Sequence, residues 1–244
     1  MYADLIDYRE PIMNTTQHSF SPRIAILVAI MAYGAFCKLI PYILMQFGVS
    51  IDPTTTTYPW NFSPVPALCL FCGAFFRDIR WAFAVPLAAW FAGDLGILAL
   101  VSRQYGFSEG LTMAFYPNQI IVYAGFALIV GVGVLLPKVV GWLKSIDSES
   151  TKFGHLAYWT GVIGSGVFAS VLFFALTNFG VWITGGGMMY PLTWAGLVEC
   201  YTLAIPFFRN FALATAGFSV VLFSPIGIQF LDESEDRQPA YELA

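Results

Sequence analysis

The stretch RIAILVAIMAYGAFCKLIPYILMQFG, residues 23–48, decides the fold class of this chain. It is apolar along almost its whole length, and Lys38 is its only charged residue after Arg23. A run of about 18 or more apolar residues can span the hydrocarbon core of a bilayer as a helix. The stretch therefore predicts a transmembrane helix that carries one cation inside the membrane.

The rest of the chain has the same apolar character. Of its 244 residues, 58% are hydrophobic and 11% are charged, whereas soluble domains carry about 25% charged residues. The mean hydropathy is +0.70. These values predict a multi-pass protein embedded in the lipid bilayer and exclude an ordinary soluble domain. The net charge of −4 and the scattered cations argue against nucleic acid as a partner.

Apolar runs and breakers predict an all-α bundle of six transmembrane helices in one domain, residues 23–231. The predicted spans are 23–48, 64–76, 81–101, 118–142, 156–183 and 210–231. Residues 193–209 are apolar but contain Glu199 and Pro206, so we expect a short interfacial or re-entrant segment there. Residues 1–22 lack the features of a signal peptide and are predicted to be a cytoplasmic tail, as is the acidic segment 232–244.

Lysine and arginine are distributed unequally among the predicted loops. Cytoplasmic loops of membrane proteins are enriched in these residues. With the N-terminus inside, the outer loops hold only Arg103 and Arg209, and the inner segments hold Arg9, Arg23, Arg77, Arg80, Lys138, Lys144, Lys152 and Arg237. Both termini are therefore predicted to be cytoplasmic.

Two opposite charges lie at matching depth in the predicted bundle. Lys38 and Asp94 each follow the cytoplasmic start of their helix by about 14 residues, a rise of about 21 Å. Charges inside a membrane usually face the bundle and pair, so an ion pair between Lys38 and Asp94 is expected. The alternatives are that the pair only clamps the packing, without a ligand, and that Lys38 extends towards the outer interface.

The remaining intramembrane polar groups are predicted to lie near the outer face. They are Asn61, Asn118, Gln119 and Asn178. The stretch LTNFGVWITGGGMMYP (residues 176–191) adds Trp182, three glycines and Tyr190 close to Asn178. We expect these residues, together with Asp94, to line a solute-binding cavity that opens outwards. The alternative for residues 176–191 is an interfacial aromatic belt with a flexible turn.

Residues for enzyme chemistry are scarce. The two histidines, His18 and His155, lie outside the predicted membrane core, and the chain has neither a phosphate-binding GxxxxGK[ST] motif nor an assignable Ser/His/Asp set. Cys69 and Cys72 form a CxxC inside an apolar helix, where they are most simply small core residues and otherwise a metal or redox pair. We expect neither catalysis nor a metal nor a cofactor.

Small residues recur at four-residue spacing on two helices. Ala25 and Ala29 do so on the first helix, and Gly161, Ser165 and Ala169 do so on the fifth. Such faces let helices approach closely. They predict internal packing or, for Ala25 and Ala29, docking onto another membrane protein.

Four blocks of sequence resemble an uncharacterised bacterial integral-membrane family. They are NFSPVPALCLFCGAFF (61–76), GD (93–94), TNFGVW (177–182) and YPLTWAGLVECYTLAIPFFRN (190–210), and the resemblance runs over about residues 24–223. That family in turn is similar to the substrate-binding S components of energy-coupling factor (ECF) transporters. The resemblance implies a multi-pass protein of the bacterial cytoplasmic (inner) membrane, with six helices and an outer solute site capped by loop 49–64. It also implies docking, through an alanine-bearing face of the first helix, onto a transmembrane T protein driven by ATPases.

Two functions are consistent with these features. The first is a membrane subunit that binds a small organic, vitamin-like solute for uptake. The alternative is a non-transporting integral subunit or scaffold that packs against a partner membrane complex, in which the polar residues only hold the bundle together.

Overall fold

The computed structural model describes residues 22–49, 62–146, 151–225 and 227, and the regular structure in these ranges is entirely helical. The helices are α1 (Pro22–Gln46), α2 (Val65–Phe75), α3 (Ile79–Tyr105), α4 (Phe107–Ala114), α5 (Gln119–Lys144), α6 (Thr151–Thr184) and α7 (Trp194–Leu222). Five of them, α1, α3, α5, α6 and α7, are long and apolar enough to cross a membrane. The described chain is therefore all-α, as predicted, with the helices expected of a multi-pass membrane protein.

The short helix α2 lies at the centre of the bundle. Its residues from Val65 to Gly73 are all buried, and it packs chiefly against α5, α3 and α7. Eleven residues rise only about 16 Å, roughly half of the hydrocarbon core. Six spans were predicted. Within the described residues the structure has five helices of spanning length around one half-length helix.

Helix α7 corrects two sequence predictions. Residues 193–209 were expected to form a separate interfacial segment before a span at 210–231, but Trp194–Leu222 is one continuous helix of 29 residues. Glu199 lies close to the start of α7, so the helix need not bury it. Pro206 is accommodated because transmembrane helices tolerate proline when neighbouring groups satisfy the freed backbone. Arg209, expected in an outer loop, is exposed near the middle of α7.

Two other helix boundaries differ from the predicted spans. Helix α6 begins at Thr151, five residues before the predicted start, and the eight-residue helix α4 was not predicted. Gly106 joins α3 to α4 with φ 94°, a conformation that glycine adopts without steric cost. The predicted tails 1–22 and 232–244 lie outside the described residues, except for Pro22, which is the first residue of α1.

Helices α2 and α5 cross at two glycines. A Cβ atom built on Gly73 would lie 2.2 Å from the carbonyl oxygen of Val130, and one on Gly133 would lie 2.3 Å from that of Leu70. Only glycine permits this approach, because the clashing atoms belong to the backbone and cannot rotate away. Cys69 and Cys72 on the same helix are free thiols in the buried core.

The outer helices enclose α2 on several sides. Helix α1 packs chiefly on α3, α5 packs on α6, and α6 packs on α7. Tyr33 of α1 and Phe218 of α7 are in contact, with ring centroids 6.0 Å apart. Gly161, Ser165 and Ala169 of α6 are buried, and Gly161 faces Val140 of α5. This small-residue face therefore serves internal packing.

Candidate functional site

Two adjoining cavities lie between α6 and α7. The larger cavity has a volume of about 510 Å³ and is lined by Thr177, Asn178, Val181, Met189, Tyr190, Cys200, Leu203, Ala204 and Phe207. The smaller one, here called the phenyl cavity, has a volume of about 150 Å³ and is lined by Phe173, Phe174, Thr177, Asn178, Phe207, Phe208 and Phe211. Three residues, Thr177, Asn178 and Phe207, line both cavities, so the two form adjoining parts of one site.

Asn178 supplies the central polar group of this site. Its side-chain Nδ2 donates a hydrogen bond to the carbonyl oxygen of Phe174 at 2.8 Å. A carbonyl can only accept, so this bond fixes the orientation of the amide. The Oδ1 atom has no hydrogen-bond partner among the described residues. Asn178 therefore presents an open acceptor at the wall of both cavities.

The connection between α6 and α7 carries two further lining residues, Met189 and Tyr190. Gly186 and Gly187 have φ values of 58° and 81°, which lie in the left-handed region that favours glycine. They turn the chain so that Met189 and Tyr190 reach the larger cavity. Burial raises the pKa of the Tyr190 phenol, so its hydroxyl keeps its proton and remains a donor at neutral pH.

Trp182 has a different place from the one expected. It was predicted to form a wall of the site, but it is not among the residues that line either cavity. Its indole Nε1–H donates to the carbonyl oxygen of Pro191 at 3.0 Å, and its ring packs against Phe179. The hydrogen bond turns the ring towards the connection, so Trp182 positions the segment that carries Tyr190.

The other predicted amides also lie apart from the cavities. Asn118 accepts a hydrogen bond from the Thr184 hydroxyl, which joins the start of α5 to the end of α6. Gln119 is buried, and its Nε2 donates to the carbonyl oxygen of Ala114 at the end of α4, at 3.0 Å. Both amides therefore fasten helix ends. Asn61 and most of loop 49–64 lie outside the described residues.

Lys38 and Asp94 form an ion pair between α1 and α3, away from the α6–α7 site. Asp94 is fully buried and also accepts a hydrogen bond from the hydroxyl of Tyr123 on α5 at 2.6 Å. The Lys38 ammonium lies 4.0 Å from the centre of the Trp90 ring. Gly93 makes room for this arrangement, since a Cβ there would lie 2.9 Å from Cδ of Lys38.

The structure thus divides the single predicted site into two groups. Asn178 and Tyr190 belong to the α6–α7 site, whereas Asp94 belongs to the ion pair and contacts neither cavity. Sequence reasoning missed Trp90, although it lies four residues before Asp94 and so on the same helix face. It also missed the phenylalanines of the phenyl cavity, whose signal was the Phe207–Phe211 spacing of one helical turn.

The predicted docking residues lie at the start of α1. Ala25 is in the first turn, and Ala29 is exposed. In a membrane protein an exposed face of this kind contacts lipid or a partner helix.

A protein family described as "Family of unknown function (DUF6580)" matches residues 18–234 of the chain. No curated protein and no solved structure matches the sequence. The expected relationship to an uncharacterised family is therefore confirmed, whereas these comparisons contain no link to energy-coupling factor transporters.

Proposed function

This chain belongs to the family of unknown function DUF6580, and we propose that it is a membrane subunit that binds a small organic solute between α6 and α7. The observation that carries the proposal is the larger cavity, where the open acceptor of Asn178 and the hydroxyls of Thr177 and Tyr190 meet a mainly apolar wall. Ligand sites typically measure about 300–1,000 Å³ and combine apolar walls with a few convergent polar groups. At about 510 Å³, the larger cavity falls within that range.

The proposed direction is uptake from the outer side of a bacterial cytoplasmic membrane. The excess of cations in the predicted inner loops supports cytoplasmic termini, and this orientation makes the start of α6 cytoplasmic. Asn178 lies 27 residues after Thr151, the first residue of α6, a rise of about 40 Å along the helix. In this orientation the site lies in the outer half of the bundle, as in the S components that the sequence resembles.

We further propose that the subunit works with a transmembrane partner of the T type and its ATPases. Two exposed features support a partner: Ala29, where a second helix can approach closely, and Arg209 near the middle of α7. A charge facing hydrocarbon costs a few kcal/mol, and an acidic side chain on a partner helix would lower that cost. The scaffold alternative shares these surfaces but requires no solute.

Native mass spectrometry of the detergent-purified protein tests the solute-binding function. We expect the wild-type protein to retain a small molecule and Asn178→Ala to lose it, because removing a buried hydrogen bond costs about 1–2 kcal/mol, or about five- to thirtyfold in affinity. Trp182→Phe should weaken retention by a smaller factor, because it frees the connection without changing the cavity wall.

Asn118→Ala is the matched control, since it removes the same amide from a helix end outside the cavities. It should retain the molecule while remaining monodisperse. A wild-type protein without any retained molecule would contradict solute binding and favour the scaffold. Equal retention by the Asn178 and Asn118 variants would exclude the α6–α7 site.

A further inference from the structure

We propose that the solute is a neutral molecule with a flat, apolar ring system and one hydrogen-bond-donating group. This inference rests on the proposed function and specifies the chemistry of the ligand at the same site. It distinguishes the ligand from charged metabolites such as carboxylates and phosphate esters.

The described walls of both cavities carry no charged side chain. None of the described residues that line the two cavities is an Asp, Glu, Lys, Arg or His. The neighbouring charged residues in the sequence, Glu199 and Arg209, are exposed and line neither cavity. An ionised group loses its hydration on entering an apolar site, and only a paired charge compensates for that loss. The site therefore disfavours an ionised ligand of either sign.

The polar atoms that α6 contributes to the site are hydrogen-bond acceptors. The Asn178 amide directs Oδ1 away from its bond to Phe174, and that oxygen can only accept. The Thr177 hydroxyl already donates to the carbonyl oxygen of Phe173 at 2.8 Å, so its oxygen too can only accept. The Tyr190 hydroxyl can either donate or accept, so the two neighbouring acceptors on α6 decide the match and call for a donor on the ligand, such as a hydroxyl or a ring N–H.

The phenyl cavity has flat aromatic walls. Phe173 and Phe211, which both line it, are stacked with centroids 4.5 Å apart and an interplanar angle of 14°. Phe174 and Phe208 form a second aromatic pair with centroids 4.9 Å apart. An apolar cavity of about 150 Å³ is large enough for a benzene-sized ring. Flat rings pack against such walls more favourably than flexible polar chains do.

A matched set of naphthalene probes tests the inference in detergent micelles. 1-Naphthol is neutral, flat and a donor; 1-methoxynaphthalene lacks the donor; 1-naphthoate carries a negative charge on the same ring. We expect 1-naphthol to bind most tightly, 1-methoxynaphthalene about five- to tenfold more weakly, and 1-naphthoate at least about tenfold more weakly. Binding is followed by probe fluorescence, with protein-free micelles as the background.

Two variants assign the binding to the site. Asn178→Leu should bring the affinities for 1-naphthol and 1-methoxynaphthalene within about twofold of each other, because the amide oxygen that accepts the naphthol hydroxyl is removed. Phe207→Trp should weaken binding of 1-naphthol at least about tenfold by filling space that both cavities share, and it changes a different helix if Asn178→Leu proves poorly folded. Asn118→Ala should bind all three probes like the wild type.

The outcomes separate this inference from the proposed function. If 1-naphthoate binds as tightly as 1-naphthol, or if Phe207→Trp leaves 1-naphthol binding unchanged, the neutral-ligand inference is overturned. The same conclusion follows if 1-naphthol does not bind while the molecule retained by the wild-type protein is lost from Asn178→Ala. In that case solute binding stands and only its chemistry is wrong. If no molecule is retained and no probe binds, the proposed function fails as well.

Discussion

The ion pair between Lys38 and Asp94 leads to a prediction about stability. At a separation of about 3 Å and an effective dielectric constant of about 20, opposite unit charges attract by about 5 kcal/mol. Asp94 is fully buried and the Lys38 side chain is only 11% exposed, so loss of either partner leaves a poorly hydrated charge. Removing one member of a buried pair typically costs about 3–5 kcal/mol. We expect Lys38→Met and Asp94→Asn each to lower the free energy of unfolding by about that amount.

The two single variants should not be equivalent. Lys38→Met leaves the Asp94 carboxylate buried with the Tyr123 hydroxyl as its remaining donor. Asp94→Asn leaves an ammonium that still contacts the Trp90 ring and can extend along its flexible stem towards water. Lys38→Met should therefore be the more costly change, and the double variant should cost less than either single variant because it removes both charges.

Equilibrium unfolding in mixed micelles with increasing SDS, followed by tryptophan fluorescence, measures these free energies. Lys138→Met, which removes an exposed cation from α5, is the control and should change stability by less than about 0.5 kcal/mol. Strictly additive losses in the double variant, with a coupling energy near zero, would refute a direct interaction between Lys38 and Asp94.

Three other predictions concern packing, orientation and assembly. Gly133→Ala should destabilise the protein by about 1–3 kcal/mol. The control Gly131→Ala, whose Cβ would meet nothing within 4 Å, should leave stability unchanged. Equal unfolding midpoints for the two variants would show that the crossing of α2 and α5 tolerates a side chain. A membrane-impermeant maleimide added outside should label a cysteine introduced at Thr55 but not one introduced at Ser148. Background labelling should be low because all four native cysteines are buried. The reverse labelling pattern would show that the topology is inverted. Ala29→Leu should leave the isolated protein as stable as the wild type yet prevent co-purification with a T-type partner, and a comparable loss of stability without the partner would assign Ala29 to internal packing.

The sequence by itself determined that this chain is an all-α membrane protein. Composition and the length of apolar runs suffice for that conclusion, because each membrane helix satisfies its backbone hydrogen bonds internally, whatever its neighbours are. The fixed rise of a helix also predicts how far along its helix each polar residue lies. That regularity is why Lys38 and Asp94 could be expected to meet, and why Asn178 could be expected near the end of its helix.

Helix-breaking residues led to a wrong prediction where packing between helices keeps the chain helical. Glu199 and Pro206 suggested an interruption, but α7 packs against α6 and α2 and continues through both residues. The half-length helix α2 likewise depends on its neighbours, since an apolar segment of that length is stable inside the bundle only when other helices surround it.

Only the tertiary structure decided which polar residues share a site. The predicted depths group Asp94, Asn118 and Asn178 together towards one side of the membrane, but a sequence does not give the rotation of a helix about its axis or the identity of its neighbour. In the structure Asp94 faces Lys38 and Tyr123, Asn118 contacts Thr184, and Asn178 lines a cavity shared with α7. Those pairings depend on long-range packing between helices far apart in the chain, which the spacing of residues within one helix does not specify.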